Sequence, residues 1–167
     1  MKNLATFHGR EASHPAEARS ITCLARTLRL RAARAPEFLD LTDAVEELVA
    51  QSGVQSGQVL VYSKHTTAAI VINEHEPELL KDLERLLAHL VPPDRPYFHN
   101  DFSVRTVNMT DDESPNAHSH CQHLLLRTSE TIPILEGQLQ LGRWQRVFLV
   151  ELDRPRPREV VVQVLGC

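Results

Sequence analysis

Hydrophobic and polar residues change rhythm several times along this chain. From Ser20 they alternate: Ile21, Cys23 and Ala25, then Leu28 and Leu30, are apolar, with Arg26, Arg29 and Arg31 between. That period of two predicts a half-solvated strand. Leu39-Asp40-Leu41-Thr42 then leads into Ala44, Val45, Leu48 and Val49, the stripe of a short helix with Thr42 as N-cap and Gly53 as its stop. Gly57 opens a strand holding Val59 and Val61, and Ala68 to Ile72 forms the next. Leu79, Leu80, Leu83, Leu86, Leu87 and Leu90 fall on one face of a helix predicted over Pro77 to Leu90. Pro77 suits its first turn, and Pro92-Pro93 ends it.

The segment Asp94 to Glu113 is polar and weakly patterned, and connections of that length inside a domain are uncommon and often functional. Ser114-Pro115 reads as an N-cap with Pro at N1, opening a helix through Leu124-Leu125-Leu126 that ends near Thr128. Strand signals close the chain at Thr131–Leu135, Gln138–Leu141, Gln145–Leu152 and Glu159–Leu165, punctuated by Gly137, Gly142 and the Pro155/Pro157 pair. The expectation is an α+β fold over residues 20–167: a single domain with a largely antiparallel β-sheet in meander-like order and two to three packed helices. Residues 1–19 are polar and without period, and read as a loose N-terminal extension.

Composition narrows the function classes. A chain of 167 residues buries about two-thirds of its unfolded surface. A net charge of −4 supplies no basic footprint for nucleic acid. No run of about 18 apolar residues offers a membrane-spanning helix, and the first residues lack the apolar core of a secretory signal. Cys23, Cys121 and Cys167 are odd in number and far apart, which fits reduced thiols in a cytoplasmic protein and argues against cysteine-bound zinc.

The chemistry-bearing residues are mostly histidines. Of the 9 present, His65 lies between two apolar runs where a turn would ordinarily use Gly, Asn or Asp. His99 stands beside Asn100-Asp101, and His118, His120 and His123 follow within one short segment. On a helix His120 and His123 share a face while His118 lies far around it, so one ion cannot take all three. Imidazoles with a carboxylate suit a divalent metal such as zinc, or acid–base work near neutral pH. His65-Thr66-Thr67 presents a ring and two hydroxyls together, a set able to hold an oxyanion. For Ser129 and Thr131, turn capping and edge hydrogen bonding stand level with a role in binding. Gly142 permits a tight turn, Trp144 reads as core, interface or ligand stacking, and Arg143 and Gln145 flank it, with Arg fitted to phosphate oxygens.

These motifs resemble the YjbQ family, called secondary thiamine-phosphate synthases. The residues that carry the resemblance are His65-Thr66-Thr67-Ala68-Ala69 with Asn73-Glu74, Val91-Pro92, and Tyr97 with His99-Asn100-Asp101. They continue through Asn116-Ala117 with His120, Ser129 with Thr131 and Pro133, Leu141-Gly142 with Trp144-Gln145, and Glu151-Leu152-Asp153. The resemblance implies a YjbQ-like α+β domain assembling as a homotrimer with clefts between subunits. It implies a low thiamine-phosphate synthase activity, in which a pyrimidine methyl group leaves its diphosphate for a thiazole phosphate. That activity is secondary to a main role the resemblance does not supply. A trimeric metal- or phosphorylated-metabolite-binding protein is the alternative, and a metal-dependent hydrolase is a third reading with no support beyond the histidines. Under the resemblance His65, Asp101 and Glu74 are the catalytic candidates, with His65 as acid–base group or metal ligand. His99 and His120 bind a divalent cation (Zn or Mg), with Asp101 orienting one of them. Thr66, Thr67, Asn73, Asn100, Ser129, Arg143 and Gln145 contact a small phosphorylated substrate. The chain departs from the family pattern at Gln122, where a basic residue is common, and at Arg143, where a small one is.

Overall fold

The run Glu159-Val160-Val161-Val162-Gln163-Val164 shows how the core is laid down. Alternation sends Val160, Val162 and Val164 to one face, where all are fully buried. Each such valine contributes about 1.5–3 kcal/mol through burial. This is β8 (Pro157–Gly166), and in the computed structural model, which describes residues 20–167, it lies between β1 (Thr22–Arg31) and β3 (Ser56–Ser63). Two further strands, β5 (Ser129–Leu135) and β6 (Gln138–Leu139), complete a sheet in the order β1-β8-β3-β5-β6. A second sheet has the order β2-β7-β4, from β2 (Glu37–Asp40), β4 (Ala68–Glu74) and β7 (Gln145–Glu151). All of these pairings are antiparallel.

The main core fills the space between the sheets. Val59, Val61, Ile132, Ile134, Val162 and Val164 from the larger meet Ala68, Ile70, Val147 and Leu149 from the smaller. Helix α1 (Thr42–Ser52) adds Val45, Leu48 and Val49. On the other face of the small sheet Phe148, Val150, Ala69 and Leu152 pack with Leu87 and Leu80 of α2 (Pro77–Leu90). The small sheet is thus covered on both sides, which is why Val147-Phe148-Leu149-Val150 is an unbroken apolar run.

The α+β class and the single antiparallel domain are as the sequence predicts, with three α-helices among the described residues: α1, α2 and α3 (Ala117–Leu125). The bounds of α2 match, with Pro77 at N1 and the Glu76 carboxylate accepting from the N–H groups of Glu78 and Leu79. Gly53 closes α1 at φ 70°. Four expectations are corrected. The strands form two interleaved sheets rather than a meander, since alternation reports which face is buried and not which strand is the neighbour. Strand β2 replaces the predicted lead-in to α1, being too short for its pattern to register. Thr42 is not the N-cap of α1: Leu41 is, and the Thr42 hydroxyl accepts from Val147 N–H across the sheet at 2.8 Å. Likewise α3 starts after Asn116, because the Ser114 hydroxyl is taken by Arg154. The extension over residues 1–19 lies outside the described residues. Among those described, no helix is long and apolar enough to cross a membrane.

Gly57 and Gly166 face each other across the β3–β8 pair. A Cβ on Gly57 would be driven into the Leu165 carbonyl oxygen, a main-chain atom with no room to retreat. Gly57→Ala is therefore expected to destabilise the domain by about 1–3 kcal/mol. A urea midpoint equal to that of the wild type would contradict this packing.

Candidate functional site

His65 needs no turn chemistry because β3 and β4 do not form a hairpin. The segment Ser63 to Ala68 carries the chain from the large sheet to the small one, and the buried Ser63 hydroxyl clamps it by donating to the Ala68 carbonyl at 2.6 Å. The start of β8 runs alongside, and His65 Nε2 accepts the Glu159 main-chain N–H at 2.8 Å. That bond leaves the proton of the neutral ring on Nδ1. Burial, then the nearby Arg158 charge, pushes the His65 pKa below its ordinary value. A ring so held donates from Nδ1, a disposition that favours an oxyanion over a metal ion.

His65 shares its cleft with the His99 and His120 pair. His99 belongs to a 3₁₀ turn, Phe98–Asn100, and His120 to α3, with ring centroids 4.8 Å apart at 67°. The Asn100 carboxamide joins the two elements by accepting Ala117 N–H at 3.0 Å. Burial, followed by the charge of His99, lowers the His120 pKa. His99 Nε2 is buried with no hydrogen-bond partner, as is Asn116 Oδ1.

These groups line one cleft of about 480 Å³. Its lining takes Lys64, His65, Thr66 and Thr67 from the crossing segment, and His99, Asn116 and His120 from the 3₁₀ turn and the start of α3. Arg156 and Arg158 come from the approach to β8 and its start, and Arg105, Asn108, Thr110 and Glu113 from the long connection after the 3₁₀ turn. The connection is held by Arg105, which pairs with Glu113 at 3.1 Å and donates to the Asn108 carbonyl. Within the lining, Arg158 forms an almost wholly buried ion pair with Glu151, their exposures being 3% and 0%. Arg158 also donates to the Thr67 hydroxyl at 3.0 Å.

Of the sequence-derived candidates, His65, Thr66, Thr67, His99 and His120 meet here. Asn100 supports the site as the cap of α3. The Asp101 carboxylate turns away to accept from the Ser103 N–H and hydroxyl, so it does not orient His99. It lines a separate cavity of about 500 Å³ with Arg95 and the fully exposed Phe98. Asn73 and Glu74 pair with Arg146 and Gln145 at the other end of the small sheet, about 20 Å along β4 from Ala68. Gln145 closes its own turn by accepting Gly142 N–H, and Arg143 stacks on the exposed Trp144 at 4.5 Å. Ser129 pairs with Tyr62 in the large sheet, outside the cleft lining. His118 is also outside the lining: the Ser119 hydroxyl donates to Leu152 O and so accepts from His118 Nε2, leaving His118 Nδ1 buried and unpartnered.

Sequence reading gave no site role to Lys64, Arg105, Glu113, Arg156 and Arg158, and cited Asn116 only as a motif residue. For one of them a signal existed. Arg158 has the parity of Val160, Val162 and Val164, which puts a cation on the core face of a strand. Glu151 stands likewise in step with Val147 and Leu149.

Burial lowers the pKa values of His65, His118, His120 and His123. The unfolded chain, with histidines near pH 6.5, then binds protons that the folded state refuses. Stability from these groups is present above about pH 6.5 and is lost as pH falls toward the depressed folded values. The melting temperature is expected to drop between pH 7 and 5.5, with a shallower slope in His65→Asn/His120→Asn. Identical slopes in the two proteins would show that these rings do not carry the effect.

The fold recurs in known proteins. A family model described as "UPF0047 protein YjbQ-like" matches residues 26–167. A UPF0047 protein of Methanothermobacter thermautotrophicus is 40% identical over 139 residues, covering 83% of this chain and 90% of its own. One from Archaeoglobus fulgidus is 40% identical over 138 residues, covering 83% of this chain and 98% of its own. Among solved structures, a YbjQ-like protein of unknown function from Sulfolobus solfataricus P2 superposes with a TM-score of 0.80 at 36% identity, covering 89% of this chain and 100% of that one. By the family model and these relatives, the chain belongs to the YjbQ-like UPF0047 protein family.

Proposed function

We propose that the cleft binds a small phosphorylated molecule and supports a thiamine-phosphate synthase type of transfer. The observation that carries this reading is the polarity of the lining. Lys64, Arg105, Arg156 and Arg158 face the cleft with Glu113 as the carboxylate among them, while their other partners Glu159, Asp153 and Glu151 stand outside the lining. Paired with these carboxylates, the cations are available to phosphate oxygens that enter from the cleft side.

In the proposed reaction the bond between the pyrimidine methylene carbon and the diphosphate oxygen breaks. The thiazole nitrogen bonds to that carbon, and pyrophosphate leaves with the electron pair of the broken bond. The work required of the protein is to align the two substrates and hold the growing charge on the departing oxygens. The Nδ1–H of His65 and the Thr66 hydroxyl are the neutral donors for that charge. The proposal treats the synthase activity as secondary to a main role.

The unpartnered Nε2 of His99 beside His120 favours a second element, a divalent ion at that pair. Two imidazole nitrogens suit zinc better than magnesium, which prefers oxygen ligands. Among the described residues no third His, Cys, Asp or Glu completes a ligand set, so water or ligand oxygens would fill the other positions. Such an ion would supply positive charge next to the phosphates. Metal and metabolite binding without a main catalytic role is the alternative that this pair supports.

The apolar rim of the long connection, Phe98, Val104 and Val107, is strongly exposed in the single chain. Its burial against another subunit is in keeping with the proposed homotrimer. Free thiols at Cys23, Cys121 and Cys167 suit a reducing cytoplasm.

The test is incubation of purified protein with the pyrimidine diphosphate and the thiazole phosphate, with zinc or magnesium and without either. Pyrophosphate release is expected, falling about 10²- to 10⁴-fold in His65→Ala. No release under any of these conditions would remove the transferase reading. Elemental analysis of wild type against His99→Ala and His120→Ala then decides the ion, expected near one equivalent and lost in both variants. Metal absent from every sample would remove it.

A further inference from the structure

Arg158 has properties that neither the fold nor the reaction scheme above uses. Its guanidinium is almost wholly enclosed, yet it belongs to the lining of the cleft. Nε and Nη2 form a two-pronged pair with Glu151, and Nη2 reaches the Thr67 hydroxyl and carbonyl as well. Among the described residues Nη1 has no hydrogen-bond partner, and it is not one of the solvent-sealed atoms left unsatisfied. The fold therefore fixes two nitrogens of the fork by hydrogen bonds and leaves Nη1 without one, on a residue that lines the cleft.

We infer that Arg158 is the fixed anchor of an anion subsite, holding a phosphate or diphosphate oxygen through Nη1. The inference rests on the phosphorylated-ligand reading above and says which cation does the holding. Stability gives no reason for the pair to exist: a buried ion pair is often matched or bettered by apolar side chains of similar volume. Strand parity places both partners where valine or leucine would pack. What the pair provides instead is a guanidinium that loses no rotamer freedom when a ligand arrives.

The other cations of the cleft differ in kind. Lys64 and Arg156 keep side-chain exposures of 48% and 38% and bind Glu159 and Asp153 from the surface. They are free to adjust and are screened by salt, whereas Arg158 is neither. His65 stands near enough to Arg158 for that charge to depress its pKa, and its Nδ1–H is the adjacent neutral donor. Together they make a site for a tetrahedral oxyanion at the crossing between the sheets.

The test uses inorganic pyrophosphate as the probe, in chelator-treated buffer, measured by titration calorimetry on the full chain. The main variant is Glu151→Leu/Arg158→Met, which replaces the pair by apolar groups and is expected to keep or raise the melting temperature. Pyrophosphate affinity is expected to fall about 10- to 100-fold. Arg158→Lys, which keeps the charge but not the fork, serves if the double variant does not fold, with an expected loss of about 10-fold. Affinity within about twofold of wild type in the folded variants would overturn the anchor while leaving the anion reading standing. Wild-type protein that binds no pyrophosphate would overturn both.

Discussion

The burial of β7 on both faces is the constraint on which this architecture depends. Its inner residues Val147 and Leu149 need the large sheet, and its outer residues Phe148 and Val150 need α2. A strand that apolar on both sides has no stable place at a surface, so three layers must stack around it. Once they do, the chain has to cross between sheets at the ends of β3 and β4. The crossing segment cannot be a tight hairpin, and it leaves a gap where the layers separate. The cleft occupies that gap. Its polar walls are the ends of elements whose middles are committed to the core, which is why its charges are partnered by carboxylates from β7, β8 and the turn between them.

How much of the fold the residues declare depends on how local the determining contact is. The bounds of α2 are legible because its leucine stripe, Pro77 and the Glu76 cap all lie within one segment. The start of α3 is not, since the group receiving Ala117 N–H is Asn100, contributed by a separate turn. Strand pairing fails for a related reason. The alternation in β8 reports correctly that Val160, Val162 and Val164 face inward, but nothing in it says that β1 and β3 lie on either side.

The site follows the same rule. His65-Thr66-Thr67 stands out because a titratable ring and hydroxyls occupy a junction that local chemistry does not require. His99 and His120 stand out as residue types and meet only through tertiary packing. Asn73 and Glu74 mislead by proximity in sequence, since β4 is extended and carries them away from Thr67 at about 3.3 Å per residue. Arg156 and Arg158 hide in a Pro- and Arg-rich stretch that reads as a linker. There the useful signal is a charge falling in step with the buried valines.

The contact between His65 Nε2 and the main-chain N–H of residue 159 has an evolutionary reading. Side chains drift, but an amide is supplied by nineteen of the twenty amino acids. The tautomer of the ring is thereby tied to the register of β8, which pairs on both edges, and detached from the identity of the residue at 159. Glu159 is free to change its charge, its length or its partners Lys64 and Arg29 without altering which nitrogen of His65 carries the proton. The polarity of the site is stored in strand pairing, a property of the fold, and stays heritable while the surface around it is rewritten.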